Sequence, residues 1–297
     1  MIEPNPEPRL CHFKGMGGPC DLAVFGAPDS LLERLRSEVV RLEQRYSRYL
    51  PDSLVSDINR KAGTVQSVDA ECAGLLNYAE HCYRLSDGVF DVTAGALRRA
   101  WDFRRQRIPS PAEIAAARAA VGWERVEWNG EQLRLEPGME LDFGGIVKEF
   151  AADRLVALIT EAGYRGMANL AGDIAVTGPQ ADGRPWMLSV RDPQGTNQAM
   201  ASVALNKGGL ASSGDYERGF THKGVRYSHI LNPHTGWPVS DAPRAVTVIA
   251  DHCIMAGSLA TIAMLKGKDA ESWLVKLEVP FLLCDAAMNV SGTLVTP

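Results

Sequence analysis

The chain has 297 residues, 45% hydrophobic and 23% charged, with 31 Lys and Arg against 36 Asp and Glu for a formal charge of −5. Such a chain can bury an ample core, and its balance argues against general nucleic-acid binding, which needs clustered positive charge. No apolar run is long enough to span a bilayer, and the opening MIEPNPEPRLCHFKG shows neither a secretory signal nor a lipobox cysteine, so the expected location is the cytoplasm. The six cysteines are scattered without a C-x-x-C and read as reduced, buried small residues.

In chain order, the first element is a helix over 29–50. Leu31, Leu35, Val39, Leu42, Tyr46 and Tyr49 share one face, Ser30 and Glu33 form a capping-box pattern, and Pro51 is the stop. A second helix is predicted over about 69–86, with Asp69 as cap, Cys72, Leu75, Leu76, Ala79 and Cys82 inward, and Gly88 at its end. A short third helix follows Pro111. The period then changes to that of strands. Residues 125–128 and 132–135 flank Asn129-Gly130, a strong hairpin signal. Strand-like runs recur at 139–143, 167–176, 186–190, 201–205, 226–231, 245–250 and 281–284, interrupted by helices over 146–162 and 252–266. Helices gather early and strands late, which predicts the α+β class. Residues 1–297 read as a single domain, with two closely joined lobes as the variant. There is no Rossmann fingerprint and no Walker A loop; GGIVKE lacks the required spacing.

Four segments are dense in glycine and small or polar residues without reading as simple turns: DGVFDVTAGAL (87–97), LDFGGIVKEFAADR (141–154), NLAGDIAVTG (169–178) and GGLASSGDYERGF…RYSHILNPHTGWP (208–238). With IMAGSLATIAM (254–264) they resemble, in collinear order from Met16-Gly17 to the last helix, the ApbE family of flavin transferases. The resemblance implies an ApbE-like, T-fold-related fold of mixed sheets and packed helices, with an FAD site in the cleft between lobes. It also implies an activity. FAD is cleaved at its pyrophosphate, and FMN is joined through a phosphoester bond to a Ser or Thr of a target protein, with Mg²⁺ as helper ion. Nucleic acid and membrane are not expected partners.

That chemistry needs the two charges of a diphosphate neutralised before a hydroxyl can attack phosphorus, and a hard cation with a lysine is the usual means. Lys148 lies where a strand turns into a helix, after Asp142 and the Gly144-Gly145 pair; new helix amides there point toward an anion. The resemblance implies that Asp142 and Lys148 contact FAD and that the carbonyl of Gly145 touches the metal. On residue types alone, an ordinary β–α junction with a solvated lysine fits as well. The resemblance also exposes a departure. The family's late helix reads A-D-A-L-A-T, whereas this chain has Ala256-Gly257-Ser258-Leu259-Ala260-Thr261. Thr261 is kept, but Gly257 stands where the metal-binding carboxylate belongs, so weaker metal binding is expected, and Gly257→Asp is expected to tighten it. Ser258 offers a hydroxyl a quarter-turn away, and Asp173 a carboxylate from another element, though a structural turn aspartate is the simpler reading of Asp173.

His229, in Tyr-Ser-His-Ile with Ile230, is the candidate for handling the acceptor's proton, since histidine titrates near neutrality; a strand histidine bonded to backbone is its bland alternative. By resemblance Met16, Tyr49, Trp101, Asp102 and Phe103 line the dinucleotide site, Asp91 and Thr93 order the turn that presents this loop, and Ser213 and Gly214 form pocket wall. Core packing competes for Tyr49. Two other functions stand beside transfer: a non-catalytic FAD-binding protein, or a pyrophosphatase-like variant that cuts FAD without labelling a target. A Ser213–His229–Asp hydrolase triad is weak, because the serine lacks a G-x-S-x-G elbow.

Overall fold

The computed structural model describes residues 7–195, 199–216 and 219–294. It opens with strands that the sequence reading did not anticipate. β1 (Pro8–Gly15) and β2 (Gly18–Phe25) form a hairpin whose turn residues, Met16 and Gly17, both have positive φ (51° and 79°), the twist that suits two-residue hairpins. α1 (Asp29–Tyr46) buries Leu31, Leu35, Val39, Leu42 and Tyr46 as their spacing predicts. Its start differs from expectation. The N-cap is Pro28 without a side-chain bond, so Ser30 and Glu33 lie inside the helix and form no capping box. The helix also ends short of Pro51, leaving Tyr49 outside it and 67% exposed.

α2 (Leu54–Arg60), capped by Ser53, is too short to show a period and has no predicted counterpart. After β3 (Gln66–Ser67), α3 (Ala70–Leu85) has Asp69 accepting from the Cys72 amide, with the five predicted inward residues buried. A 3₁₀ segment (Val92–Arg99) leads to α4 (Pro111–Arg118), where Ser110 and Glu113 form a reciprocal capping box. β4 (Glu127–Trp128) and β5 (Gln132–Arg134) pair around Asn129-Gly130. Residues 139–143 alternate buried and partly open but join no ladder: the Leu141 amide donates to Asn59 Oδ1 (2.7 Å) and that of Asp142 to the Val92 carbonyl (2.8 Å). α5 (Val147–Glu161) follows.

The single predicted run 167–176 is two strands, β6 (Gly166–Leu170) and β7 (Asp173–Val176), folded back at Ala171-Gly172, both with positive φ. β8 (Trp186–Arg191) pairs with β9 (Ala199–Leu205). Next come β10 (Gly208–Gly214), the hairpin β11 (Gly219–His222) and β12 (Val225–Ser228), β13 (Ala245–Ala250) and α6 (Cys253–Lys266). α7 (Ala270–Lys276), β14 (Phe281–Cys284) and β15 (Val290–Ser291) complete the described chain.

Among the described residues the principal sheet has eight strands in the order β1-β2-β6-β7-β10-β13-β14-β15, every neighbour antiparallel. Sheet residues alternate between two cores, as a period of two requires. Leu22, Ala175, Ala211, Val246 and Val248 face the helices α1, α3, α5 and α6. Phe25, Ile174, Leu210 and Leu282 face the β8–β9 hairpin, which contributes Trp186, Leu188 and Val203. A third, aromatic cluster of Leu97, Trp101, Ile114 and Phe220, with Phe103, Tyr227 and Trp237 packed on it, joins the 92–121 region to β11–β12. The class is α+β. No helix among the described residues is long and apolar enough to cross a membrane.

Candidate active site

On the helix-facing side of the sheet, four elements meet around a small polar patch. β7 begins with Asp173, 2% exposed, on the same side as Ala175. The first turn of α5 supplies Lys148, whose Nζ lies 2.8 Å from Asp173 Oδ2; the Ser212 amide of β10 donates to Asp173 Oδ1 at 3.3 Å. Asp173 is therefore part of the patch rather than a turn aspartate alone. From the last turn of β10, Ser213 Oγ meets Thr261 Oγ1 of α6 at 2.9 Å. Thr261 and Gly257 are four residues apart and share one helical face.

The residue that ties this patch together is one that the sequence reading passed over. Glu149, next to Lys148, is buried, and its Oε2 has no hydrogen-bond partner. Burial, and then the neighbouring charge of Asp173, hold its carboxyl well above the usual carboxylate range, with Lys148 opposing the shift. Its side chain occupies the space above Gly257: a Cβ at 257 would stand 2.5 Å from Glu149 Cγ and 2.9 Å from Oε1. The glycine of α6 and the glutamate of α5 are two halves of one fit. The only trace of this in the sequence is a glycine inside an apolar helix, 108 positions from its partner.

Ser258 belongs elsewhere. It is 1% exposed and lies on the α6 side toward Tyr78 and Cys82 of α3. Gly145 sits in the turn before α5 against the Phe90 ring, where a Cβ would approach to 3.4 Å.

Asp142 is engaged by Arg48, a second residue the sequence reading missed. Arg48 forms an ion pair with Asp142, donates to the Tyr49 hydroxyl at 3.0 Å and lies 5.1 Å over the Tyr49 ring. It brings Tyr49 and Asp142 to one place, with the ring open to solvent. Met16 sits in the β1–β2 turn, half-buried against the main core; that turn abuts the β6–β7 turn, since a Cβ at Gly18 would stand 2.5 Å from Ala171 Cβ.

Asp91 and Thr93 are structural. Asp91 accepts from the Thr93 amide and hydroxyl and from the Trp123 amide, and Thr93 is wholly buried, so their side chains order the 3₁₀ segment. Trp101 sits in the loop after the 3₁₀ segment. It is 4% exposed, donates to the Gly236 carbonyl at 2.8 Å and stacks on Phe103 at 5.5 Å, as a core member of the aromatic cluster. Phe103 and Asp102 are the half-buried residues of that loop, with Asp102 Oδ1 accepting from the Arg105 amide. Gly214 and Ile230 are buried. His229 falls past the end of β12, half-buried, because the strand predicted to 231 stops at Ser228. Asp215, just after β10, takes ion pairs from Arg226 Nε (2.9 Å) and Arg244 Nη1 (2.6 Å).

The sequence profile of the ApbE family matches residues 16–283. The chain belongs to the ApbE family. Among curated relatives, the FAD:protein FMN transferase of Vibrio cholerae is 30% identical over 247 residues, covering 80% of this chain and 73% of the relative. That of Salmonella typhimurium is 29% identical, covering 92% and 83%. Among solved structures, an ApbE protein of Thermotoga maritima superposes with a TM-score of 0.90 at 28% identity, covering 97% of both chains. The flavinyl transferase ApbE of Pseudomonas stutzeri, in its apo form, gives 0.89 at 26%, covering 99% and 96%.

Proposed function

We propose that this ApbE protein transfers the FMN part of FAD to a Ser or Thr hydroxyl of a target protein, forming a phosphoester and releasing AMP, with Mg²⁺ as helper ion and the cytoplasm as its location. The observation that carries this reading is the convergence of Lys148 and Asp173 with the Ser213–Thr261 hydroxyl pair across the α5–α6 contact.

The residues present fit a hard divalent cation. They are oxygen donors throughout: hydroxyls, backbone carbonyls in the glycine turn, and a buried carboxylate oxygen left without a partner. Among the described residues no three His, Cys, Asp or Glu side chains converge as a metal cluster, so phosphate and neutral oxygens would complete the shell. Thr261 and the Gly145 carbonyl are the groups that would hold the ion on the sides of α6 and the glycine turn. When bound, it would neutralise charge on the diphosphate.

The protein's own groups do the rest. Lys148 is fixed by Asp173 but a quarter of its side chain stays open, so its ammonium can face a phosphate without being rebuilt. The Tyr49 ring, steadied by Arg48, offers an exposed flat surface for a flavin or adenine ring. His229 is the group we assign to receive the proton that leaves the acceptor hydroxyl as phosphorus is attacked, since histidine titrates near neutrality.

The test is incubation of purified protein with FAD, Mg²⁺ and a Thr-containing target. The expected result is AMP release matched mole for mole by an FMN-sized mass gain on the target. AMP and free FMN with no labelled target indicate a pyrophosphatase-like enzyme, and unaltered bound FAD indicates a binding protein; either would displace the proposal.

A further inference from the structure

Position 257 offers no carboxylate, yet the volume a side chain there would fill is not empty. The Glu149 side chain fills it from α5, with Cγ 2.5 Å and Oε1 2.9 Å from where a Cβ at 257 would stand. Three features set Glu149 apart from an ordinary buried acid. Oε2 lacks any hydrogen-bond partner, and a buried oxygen in that state carries a real cost unless something occupies it in the working protein. Lys148, whose charge acts on Glu149, has its Nζ 2.8 Å from Asp173 Oδ2. Two carboxyls, Asp173 and Glu149, therefore neighbour each other with one lysine beside Asp173, so one further positive charge, a shared proton or a bound cation, is needed to balance them. Asp173, at 2% exposure, is itself too deep to have been placed there for solubility.

We propose that Glu149 is the charged metal ligand of this site, reaching across the α5–α6 contact into the space that Gly257 leaves, with Thr261 one turn further along the same face of α6. This rests on the flavin-transfer reading for the identity of the site, not for its geometry. The carboxylate is supplied from the partner helix, and Gly257 is glycine because a side chain there would collide with it. It follows that placing Asp at 257 alone, expected from the sequence to tighten metal binding, instead drives a second acid into occupied space.

The probe is Mn²⁺, with free ion counted by electron paramagnetic resonance, titrated into the protein alone and into the protein with saturating FAD. FAD affinity is measured separately by flavin fluorescence in EDTA. Glu149→Gln keeps the shape and removes the charge; it should weaken Mn²⁺ by about tenfold or more, while FAD affinity without metal and the melting temperature hold. The exchange Glu149→Gly with Gly257→Asp should bring Mn²⁺ affinity back to within a few-fold of the parent. Gly257→Asp alone should not improve on the parent.

Equal Mn²⁺ affinity in the parent and Glu149→Gln, in both titrations, overturns the assignment, as does tighter binding by Gly257→Asp alone. The two readings fail separately. Glu149-dependent Mn²⁺ binding with no FAD binding would sink flavin transfer and keep the ligand. FAD binding with Glu149-independent Mn²⁺ would do the reverse.

Discussion

Lys148 illustrates how much a single contact decides. Its partner, Asp173, is buried, its ammonium is held at 2.8 Å, and part of its side chain still reaches solvent. An ammonium fixed in advance stabilises developing charge on phosphate without the cost of ordering it at the moment of reaction. Lys148→Met should lower FMN transfer on the order of 10²-fold or more, measured as AMP release at saturating FAD. Lys148→Arg should fail to restore it, because a planar fork cannot reproduce a point contact with one carboxylate oxygen in this space. At this scale the sequence was only partly legible. Lys148, Asp142 and Thr261 stood in recognisable motifs, and the structure sets Lys148 and Thr261 on facing elements. Glu149 and Arg48 were passed over because their meaning lies in partners distant along the chain: Gly257 for one, Asp142 for the other. Tyr49 was read as an inward helix residue by continuing the period of α1 past the point where the helix ends.

Between elements, the α5–α6 contact is the joint on which the site depends. α6 is buried almost all round, so its apolar pattern says that it is central but not which neighbour each face meets. Its N-terminus is seated by α5: Asp153 accepts from the Cys253 amide at 2.8 Å and the Ile254 amide at 2.9 Å. One turn along, Glu149 lies over Gly257. Alanine normally improves a helix over glycine by about 1 kcal/mol. Here the added methyl would land within 2.5 Å of Glu149 Cγ. Gly257→Ala should therefore destabilise the protein by about 1–3 kcal/mol, read from denaturant unfolding, and combining it with Glu149→Ala should cancel most of that loss. Additive effects of the two substitutions would show that the side chains do not share one space. The helices themselves were legible because α1, α3, α5 and α6 are long enough to display their period. The errors fell where local pattern and hydrogen-bond partner part company. Residues 139–143 alternate like a strand but bond to Asn59 and to the 3₁₀ segment, and 167–176 hides a turn that Ala171 takes at φ 54°.

Across the whole molecule, the described residues pack into three cores, and the aromatic one is the smallest. It carries β11–β12, after which His229 follows directly, yet that hairpin is not a strand of the principal sheet. Its chief polar tie to the sheet is Asp215, at the end of β10, which receives Arg226 from β12 and Arg244 from just before β13. The two ion pairs are mostly shielded from water, so removing their shared carboxylate takes the ion-pair partner from Arg244 and leaves Arg226 only its bond to the main-chain carbonyl of residue 215. Breaking such a group typically costs 3–5 kcal/mol when fully buried; with the arginines partly exposed, about 2 kcal/mol is the fair expectation for Asp215→Ala. The loss should be local before it is global. Hydrogen exchange followed by mass spectrometry should show β11–β12 and the residues around His229 losing protection well before β6, β7 and α5. If the proposed division of labour holds, FAD affinity in this variant stays within a few-fold of the parent while transfer to the acceptor falls. A uniform rise in exchange across the principal sheet would mean instead that Asp215 supports the whole fold, and that the position of His229 is set by the aromatic cluster alone.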